Sequence, residues 1–177
     1  MDHRGRALAA LCVTEVVSWG VLYYAFPVLV GAISADTGWS VGAATGAFSL
    51  GALVSAGSGI VIGRLIDRRG PRVVMTAGSV VGVLGAVAVA SAPTLPWFFA
   101  GWFLVGVAMS GTLYSPAFAA LTRWWGHRRV TALTVVTLVG GLASTAFAPL
   151  TALLASHFDW RGTYLVLAGL YGAITIP

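Results

Sequence analysis

Charged side chains are scarce in this sequence of 177 residues, and one basic residue type is missing altogether. Only 8% of the residues are charged, all ten basic residues are arginine, and there is no lysine. A typical soluble domain is about a quarter charged, because a small fold has a large surface to cover with polar groups. This shortage excludes an ordinary soluble domain and indicates an integral membrane protein.

Cysteine and clusters of metal-binding residues are equally scarce. The single cysteine, Cys12, has no partner for a disulfide within the chain and lies inside an apolar run. His3, His127 and His157 fall in the N-terminal tail or in connections between apolar runs. No histidine base therefore stands beside a serine within the bilayer, as an intramembrane hydrolase would need. We expect no enzyme, no metal site and no cofactor.

Long apolar runs fill most of the chain, in which 58% of the residues are hydrophobic. A helix needs about 20 apolar residues to cross a bilayer, and continuous runs indicate helices rather than the alternating strands of a barrel. The expected fold is therefore all-α, with six transmembrane helices in one bundle over residues 1–177. Their predicted ranges are Ala7–Ile33, Val41–Ile62, Val73–Ala90, Leu95–Leu121, Val130–Leu154 and Thr163–Pro177. The sixth is short, so we expect it to be truncated and further helices to follow.

The arginines are distributed unevenly between the two sides of these runs. Nine of them fall in the tail or in alternate connections, namely Arg4, Arg6, Arg64, Arg68, Arg69, Arg72, Arg123, Arg128 and Arg129. The opposite side has only Arg161. The positive-inside rule predicts a multi-pass protein of the cell membrane with a cytoplasmic N-terminus. The arginines form short clusters between apolar runs, not a basic face with interleaved aromatics, so nucleic acid is not an expected partner.

Two stretches in the first and fourth runs resemble each other. Residues 20–27 and 111–118 both read Gly-x-Leu-Tyr, followed by a proline and a phenylalanine in swapped order. The fourth run comes three runs after the first, so the two stretches cross the membrane in opposite directions. This is typical of an inverted-topology repeat, in which helices interrupted by glycine or proline at matching places indicate a transporter binding site.

Glu15 is the only acidic residue inside a predicted helix. A charge within the bilayer costs about 2.5–3.5 kcal/mol on insertion scales, so such a residue is a functional hypothesis by default. On a helix it shares one face with three aromatic residues of the same run. The candidate substrate and proton pathway is Glu15, Trp19, Tyr23, Phe26, Tyr114 and Phe118. The alternatives are that Glu15 lies near the interface or pairs with an arginine elsewhere, and that the aromatics only pack.

The stretch GRLIDRRGPR, residues 63–72, carries five of the fifteen formal charges. We expect a tight cytoplasmic turn here, with Gly70 and Pro71 as the turn pair. The stretch resembles the signature Gly-x-Leu-x-Asp-Arg-x-Gly-x-Arg/Lys of the major facilitator superfamily, and only Pro71 departs from the usual pattern. The matching residues are Gly63, Leu65, Asp67, Arg68, Gly70 and Arg72.

The resemblance implies the N-terminal six-helix half of a transporter, built as a 3+3 inverted repeat, whose C-terminal half is a missing partner. It also implies that the signature residues act as a cytoplasmic gate, with Asp67 facing a helix N-terminus of the second half. Further stretches look like bacterial members related to the monocarboxylate/oxalate–formate type. They are Leu113–Phe118, Arg123–Trp125 with Arg128 and Arg129, and Asp159–Arg161. The helix 4 arginine of drug exporters is absent, since Trp102 stands there.

The expected function is secondary active transport of a small organic solute across the bilayer by alternating access, coupled to protons. A half-size transporter that works as a dimer, a drug or metabolite exporter and a channel stay open as alternatives. No arginine or lysine lies within the six runs except at their ends. A cation that binds a carboxylate must therefore come from the missing half, or the substrate is not an anion.

Overall fold

The computed structural model describes residues 3–126 and 129–176, and within these residues it contains nine α-helices, one π-helical turn and no β-strand. His127 and Arg128 in a connection and Pro177 at the end of the sixth predicted run lie outside the described residues. The all-α fold is confirmed. In chain order the elements are α1 His3–Trp19, the π turn Gly20–Tyr24, α2 Ala25–Thr37, α3 Val41–Arg69, α4 Pro71–Ala90, α5 Leu95–Thr112, α6 Tyr114–Trp125, α7 Arg129–Gly141, α8 Ala143–Ala155 and α9 Trp160–Thr175.

Five helical stretches of the described chain are long and apolar enough to cross a membrane. We number them as spans one to five: Gly5–Thr37, Val41–Arg69, Pro71–Ala90, Leu95–Trp125 and Arg129–Ala155. Spans one, four and five each contain an irregularity that divides them into two of the helices given above. The sixth helix of the bundle is α9, with 16 residues.

The connection between spans two and three is shorter than the predicted turn. Helix α3 continues through the charged stretch to Arg69, and only Gly70 separates it from α4, which begins at Pro71. A helix satisfies its own backbone hydrogen bonds, so it can project beyond the bilayer into water, and arginines near its C-terminus suit the helix dipole. Gly70 has φ 82° and ψ 160°, a conformation that is essentially restricted to glycine.

Helix α9 begins three residues earlier than predicted, at Trp160 rather than Thr163. The side chain of Asp159 accepts a hydrogen bond from the backbone N–H of Gly162 at 2.6 Å. Asp is a favoured residue at this capping position, because its carboxylate satisfies a backbone donor that the helix leaves free. The cap therefore places Trp160 and Arg161, which precede the predicted run, inside the helix.

Glycines bring helices α4 and α5 into close contact. A Cβ atom on Gly85 would lie 2.9 Å from the backbone nitrogen of Val105, and one on Gly101 would lie 2.9 Å from that of Val89. Gly106 of α5 likewise packs directly against the backbone of α3. Small residues at such crossings let helices associate in lipid, where the hydrophobic effect does not drive helices together.

Arg161 fastens three helix ends on the side opposite the arginine-rich connections. Its Nη1 donates to the carbonyl oxygens of Ala90 and Ala92, each at 2.9 Å. Its Nε lies 3.8 Å from Oδ2 of Asp36, and the same oxygen accepts a hydrogen bond from the Trp160 indole at 2.8 Å. The guanidinium also stacks 4.2 Å from the centroid of the Trp160 ring. This cluster, which we call the outer clamp, joins the ends of α2, α4 and α9.

Candidate functional site

The two similar sequence stretches coincide with irregularities in spans one and four. In span one the backbone forms the π turn Gly20–Tyr24, and in span four Leu113 is extended, with φ −82° and ψ −165°, between α5 and α6. Proline is the local cause in both, since it lacks the N–H that would bond to the carbonyl four residues earlier. Pro27 frees the carbonyl of Tyr23 in this way, and Pro116 frees that of Thr112. Single π turns within helices are frequent at functional sites.

Span five is interrupted at Leu142, and its helices pack against both of the other irregularities. The ring of Phe147 occupies the space where a Cβ atom on Gly20 would lie. The hydroxyl oxygen of Tyr114 lies 2.7 Å from the position of a Cβ atom on Gly140. The three interruptions therefore lie beside one another within the bundle.

Glu15 is completely buried on α1, and neither of its carboxylate oxygens has a hydrogen-bond partner among the described residues. Trp19 follows one helical turn later, so its ring lies on the same face. The indole Nε1 of Trp19 is also buried without a partner in the described chain. Burying an unpaired polar group costs free energy, and two such groups side by side are available to a ligand, a water molecule or a proton.

Half-buried aromatic rings extend from these two residues across α1, the π turn and α6. The centroid of the Trp19 ring lies 5.4 Å from that of Tyr23 and 5.2 Å from that of Tyr114, which is stacked on Phe118 at 5.3 Å. Tyr24 lies 5.3 Å from Tyr23. We call these five rings the aromatic face. Tyr23 of the first repeated stretch, together with Trp19 just before that stretch, thus lies beside Tyr114 and Phe118 of the second.

Phe26 lies behind the aromatic face, in the packed interior. It is 3% exposed, stacks on Phe48 at 4.7 Å and meets Trp102 edge-on at 5.2 Å. Phe48 in turn lies 5.0 Å from Tyr23, so it connects Phe26 to the face.

Sequence reasoning missed Tyr24, Phe48 and Trp102. The available signal was Trp102 itself, an aromatic residue at the position where drug exporters of the superfamily have an arginine. Its buried ring meets the stacked rings of Phe26 and Phe48 edge-on, at 5.2 Å and 5.1 Å.

The signature residues form a separate group at the arginine-rich end. They lie at the end of α3, in the one-residue turn and at the start of α4: Gly63, Leu65, Asp67, Arg68, Gly70 and Arg72. Asp67 is exposed, and none of the described cationic groups lies within 4.0 Å of it. The Arg72 guanidinium lies 5.8 Å from the centroid of the Trp124 ring. With no cationic partner among the described side chains, this exposed carboxylate is available to contact another segment.

The spans and the interrupted helices define a multi-pass membrane protein, and the buried carboxyl beside the aromatic face is its candidate site. The sequence model of the family described as the Major Facilitator Superfamily matches residues 11–176 of this chain. The chain belongs to the Major Facilitator Superfamily, and its six helices correspond to one half of that fold.

Several relatives are named as monocarboxylate transporters. Monocarboxylate transporter 13 of Bos taurus is 27% identical over 162 residues, which cover 92% of this chain and 36% of the relative. Monocarboxylate transporter 11 of Homo sapiens is 35% identical over 112 residues, or 63% of this chain and 23% of the relative. A 38 kDa protein encoded in the 23S RNA operon of Thermoproteus tenax is 31% identical over 92% of this chain and 43% of its own length. The chain therefore spans about a third of the length of such relatives.

Proposed function

We propose that the protein is a secondary active transporter that moves a small organic solute by alternating access, driven by protons. The observation that carries this proposal is the buried Glu15, whose carboxylate oxygens have no partner in the described chain, one turn from Trp19 of the aromatic face. A carboxyl in this position can exchange a proton when the site opens to water, and the adjoining rings offer contact area to an organic solute. Binding of solute and proton would then shift the balance between two conformations.

The substrate class that we propose is a monocarboxylate, the class in the names of the relatives. No arginine or lysine occurs in residues 7–63, 73–122 or 130–160, so a side-chain cation from these spans is not the partner of the carboxylate. The interruption at Leu113 offers another donor, because α6 begins within span four. The first backbone N–H groups of a helix have no acceptor within it, and they favour an anion.

The test is uptake of a radiolabelled monocarboxylate into liposomes that contain the native full-length protein, with an inward proton gradient. We expect Glu15→Gln to reduce gradient-driven accumulation at least about tenfold, because glutamine keeps the shape of the side chain but carries no exchangeable carboxyl proton. Exchange of labelled for unlabelled substrate without a gradient should persist, since it requires solute binding and the conformational change only.

Two results would contradict the proposal. Unchanged accumulation by Glu15→Gln would exclude this residue from coupling, and equal competition by the uncharged amide of the substrate would exclude recognition of its carboxylate. Ser58→Ala is a matched control, because Ser58 lies in span two, outside the aromatic face. It should transport at the rate of the unaltered protein.

We further propose that Asp67 closes the cytoplasmic side by contacting a second set of helices. Its exposure and its lack of a cationic partner among the described side chains support this role. The test uses a protein that carries Ser115→Cys and a thiol reagent supplied from the cytoplasmic side. Adding Asp67→Asn should raise the rate of reaction at the introduced thiol several-fold, because a cytoplasmic side that closes less often admits the reagent more often. Arg69→Gln is the control for a general change of charge. If the thiol reacts at the same rate with and without Asp67→Asn, Asp67 does not close the cytoplasmic side.

The second set of helices would come from the same gene product or from a second copy of this chain. The matched segments cover 36%, 23% and 43% of the lengths of three relatives. Separately, the apolar side chains of Leu53, Ile60 and Val61 on α3 are between 64% and 71% exposed. The greater length of the relatives supports a missing half over a half-size dimer, whereas the exposed side chains of α3 would suit contact with either. Intact mass spectrometry of the native product decides, since a product of only 18.2 kDa would require the dimer.

A further inference from the structure

A groove lies at the arginine-rich end of the bundle, between helices α1, α4 and α6, and apart from the aromatic face. Its volume is about 150 Å³, and its walls are mainly apolar side chains, among them Ala10, Leu11, Met75 and Ala120. Arg72 and Trp124 also line it. The groove can take small groups, and its apolar walls suit methylenes rather than water.

Arg72 contacts an aromatic ring, and none of the described carboxylates pairs with it. Its guanidinium lies 5.8 Å from the centroid of the Trp124 ring, a cation–π contact that orients the side chain. Among the described side chains, no carboxylate lies within 4.0 Å of it. A guanidinium presents donors in a planar fork that matches two oxygens of a phosphate group. The described part of the chain therefore leaves this cation, beside an apolar groove, without a carboxylate partner.

The surroundings of the groove favour a negatively charged ligand. Arg6 lies one helical turn before Ala10 on α1, Arg123 adjoins Trp124 in the chain, and both arginines are exposed. Tryptophan is enriched where membrane proteins meet the boundary between hydrocarbon and headgroups. A ligand at this depth has its polar part among the arginines and its apolar part along the helices.

We propose that this groove binds an anionic phospholipid, with its phosphate on Arg72 and the first methylenes of an acyl chain against Ala10, Leu11 and Met75. A zwitterionic phospholipid fits less well, because its ammonium group would approach Arg6 and Arg123. Basic pockets between transmembrane helices on the cytoplasmic side are a known way of recognising lipid headgroups. The proposal does not depend on the identity of the transported solute.

The test is native mass spectrometry of the full-length protein in detergent, titrated with phosphatidylglycerol or phosphatidylethanolamine. Arg72→Gln should weaken phosphatidylglycerol binding about five- to tenfold, as expected for removing one cation near a membrane surface. Ala10→Phe should weaken it similarly by filling the groove. The matched controls are Arg69→Gln, which removes an exposed arginine elsewhere, and Val13→Phe, which adds a ring at a side chain that is 50% exposed. Both should bind within about twofold of the unaltered protein.

Each arm has an outcome that overturns the proposal. Undiminished phosphatidylglycerol binding by Arg72→Gln excludes the cation, and undiminished binding by Ala10→Phe excludes the groove. If Arg69→Gln weakens phosphatidylglycerol binding as much as Arg72→Gln does, the lipid is attracted by positive charge in general and not by the groove. Displacement of the lipid by inorganic phosphate at the same concentration would indicate a site for a free anion. Equal binding of phosphatidylethanolamine would remove the selectivity for anionic lipid.

Discussion

Gly20 lies where the π turn of span one meets the ring of Phe147 in span five. The ring occupies the position that a Cβ atom would take, and the residue is buried. Glycine thus allows the two spans to approach, and the close contact supports the wider turn of the backbone here. The same residue begins the repeated stretch, so its place in the sequence has a steric reason.

We expect Gly20→Ala to destabilise the protein by about 1–3 kcal/mol, the usual cost of overpacking a core. The measurement is thermal unfolding of the detergent-solubilised protein, with Gly31→Ala as the control in the same span. A Cβ atom on Gly31 would have no described neighbour within 4 Å, so alanine fits there. Adding Phe147→Leu to Gly20→Ala should restore part of the loss, because the smaller side chain leaves room. If the Gly20→Ala and Gly31→Ala variants unfold at the same temperature, the contact between Gly20 and Phe147 does not require glycine.

Glu15 and Trp102 show how far single residues could be interpreted from the sequence. An acid in an apolar run is costly wherever the run packs, so the sequence alone singled out Glu15. Trp102 attracted notice only as a missing arginine. Its contacts with Phe26 and Phe48 join different spans, and such contacts cannot be found from the composition of either span.

At the level of helices, proline predicts two interruptions but not the third. Pro27 and Pro116 each lie four residues after a freed carbonyl, as the repeat suggested. The interruption at Leu142 precedes Pro149 by seven residues, too far for that proline to cause it. It follows Gly140, against which the Tyr114 hydroxyl packs, so its position depends on a neighbouring helix.

The outer clamp is also formed by distant elements, and it is open to a direct test. We expect Arg161→Met to lower the free energy of unfolding by about 2 kcal/mol, because two carbonyls lose a charged donor. The ion pair with Asp36 adds little, since both side chains are partly exposed. For a protein of this size the midpoint of thermal unfolding should fall by about 4–8 °C.

Arg64→Met is the control for the outer clamp, because Arg64 is exposed and forms no ion pair with the described side chains. It should leave the midpoint within a degree or two. Arg161→Lys should recover part of the loss by donating to one of the two carbonyls. If Arg161→Met unfolds at the temperature of the unaltered protein, the clamp does not hold the helix ends together.

For the whole molecule, the arginine asymmetry predicts an orientation in the membrane. In a Cys12→Ala background, His157→Cys should react with an impermeant thiol reagent added outside intact cells. Arg69→Cys should react only after the membrane is permeabilised. This substitution leaves eight of the nine arginines on the arginine-rich side, so it should not change the orientation of the protein. Both positions are exposed, so access to the reagent is not limited by packing. The reverse pattern would place the N-terminus outside.

The all-helical membrane fold, the order of the helices and the presence of an acid within the first span could be inferred from the residues alone. These follow from local properties, because each apolar run must satisfy its own backbone in lipid. The burial of Glu15, the π turn packed on Phe147, the rings added to the candidate site and the outer clamp became evident from the packing of the helices. Trp160 and Asp36 of that clamp are 124 residues apart in the chain. Their contact depends on how the helices pack, which no local pattern of residues specifies.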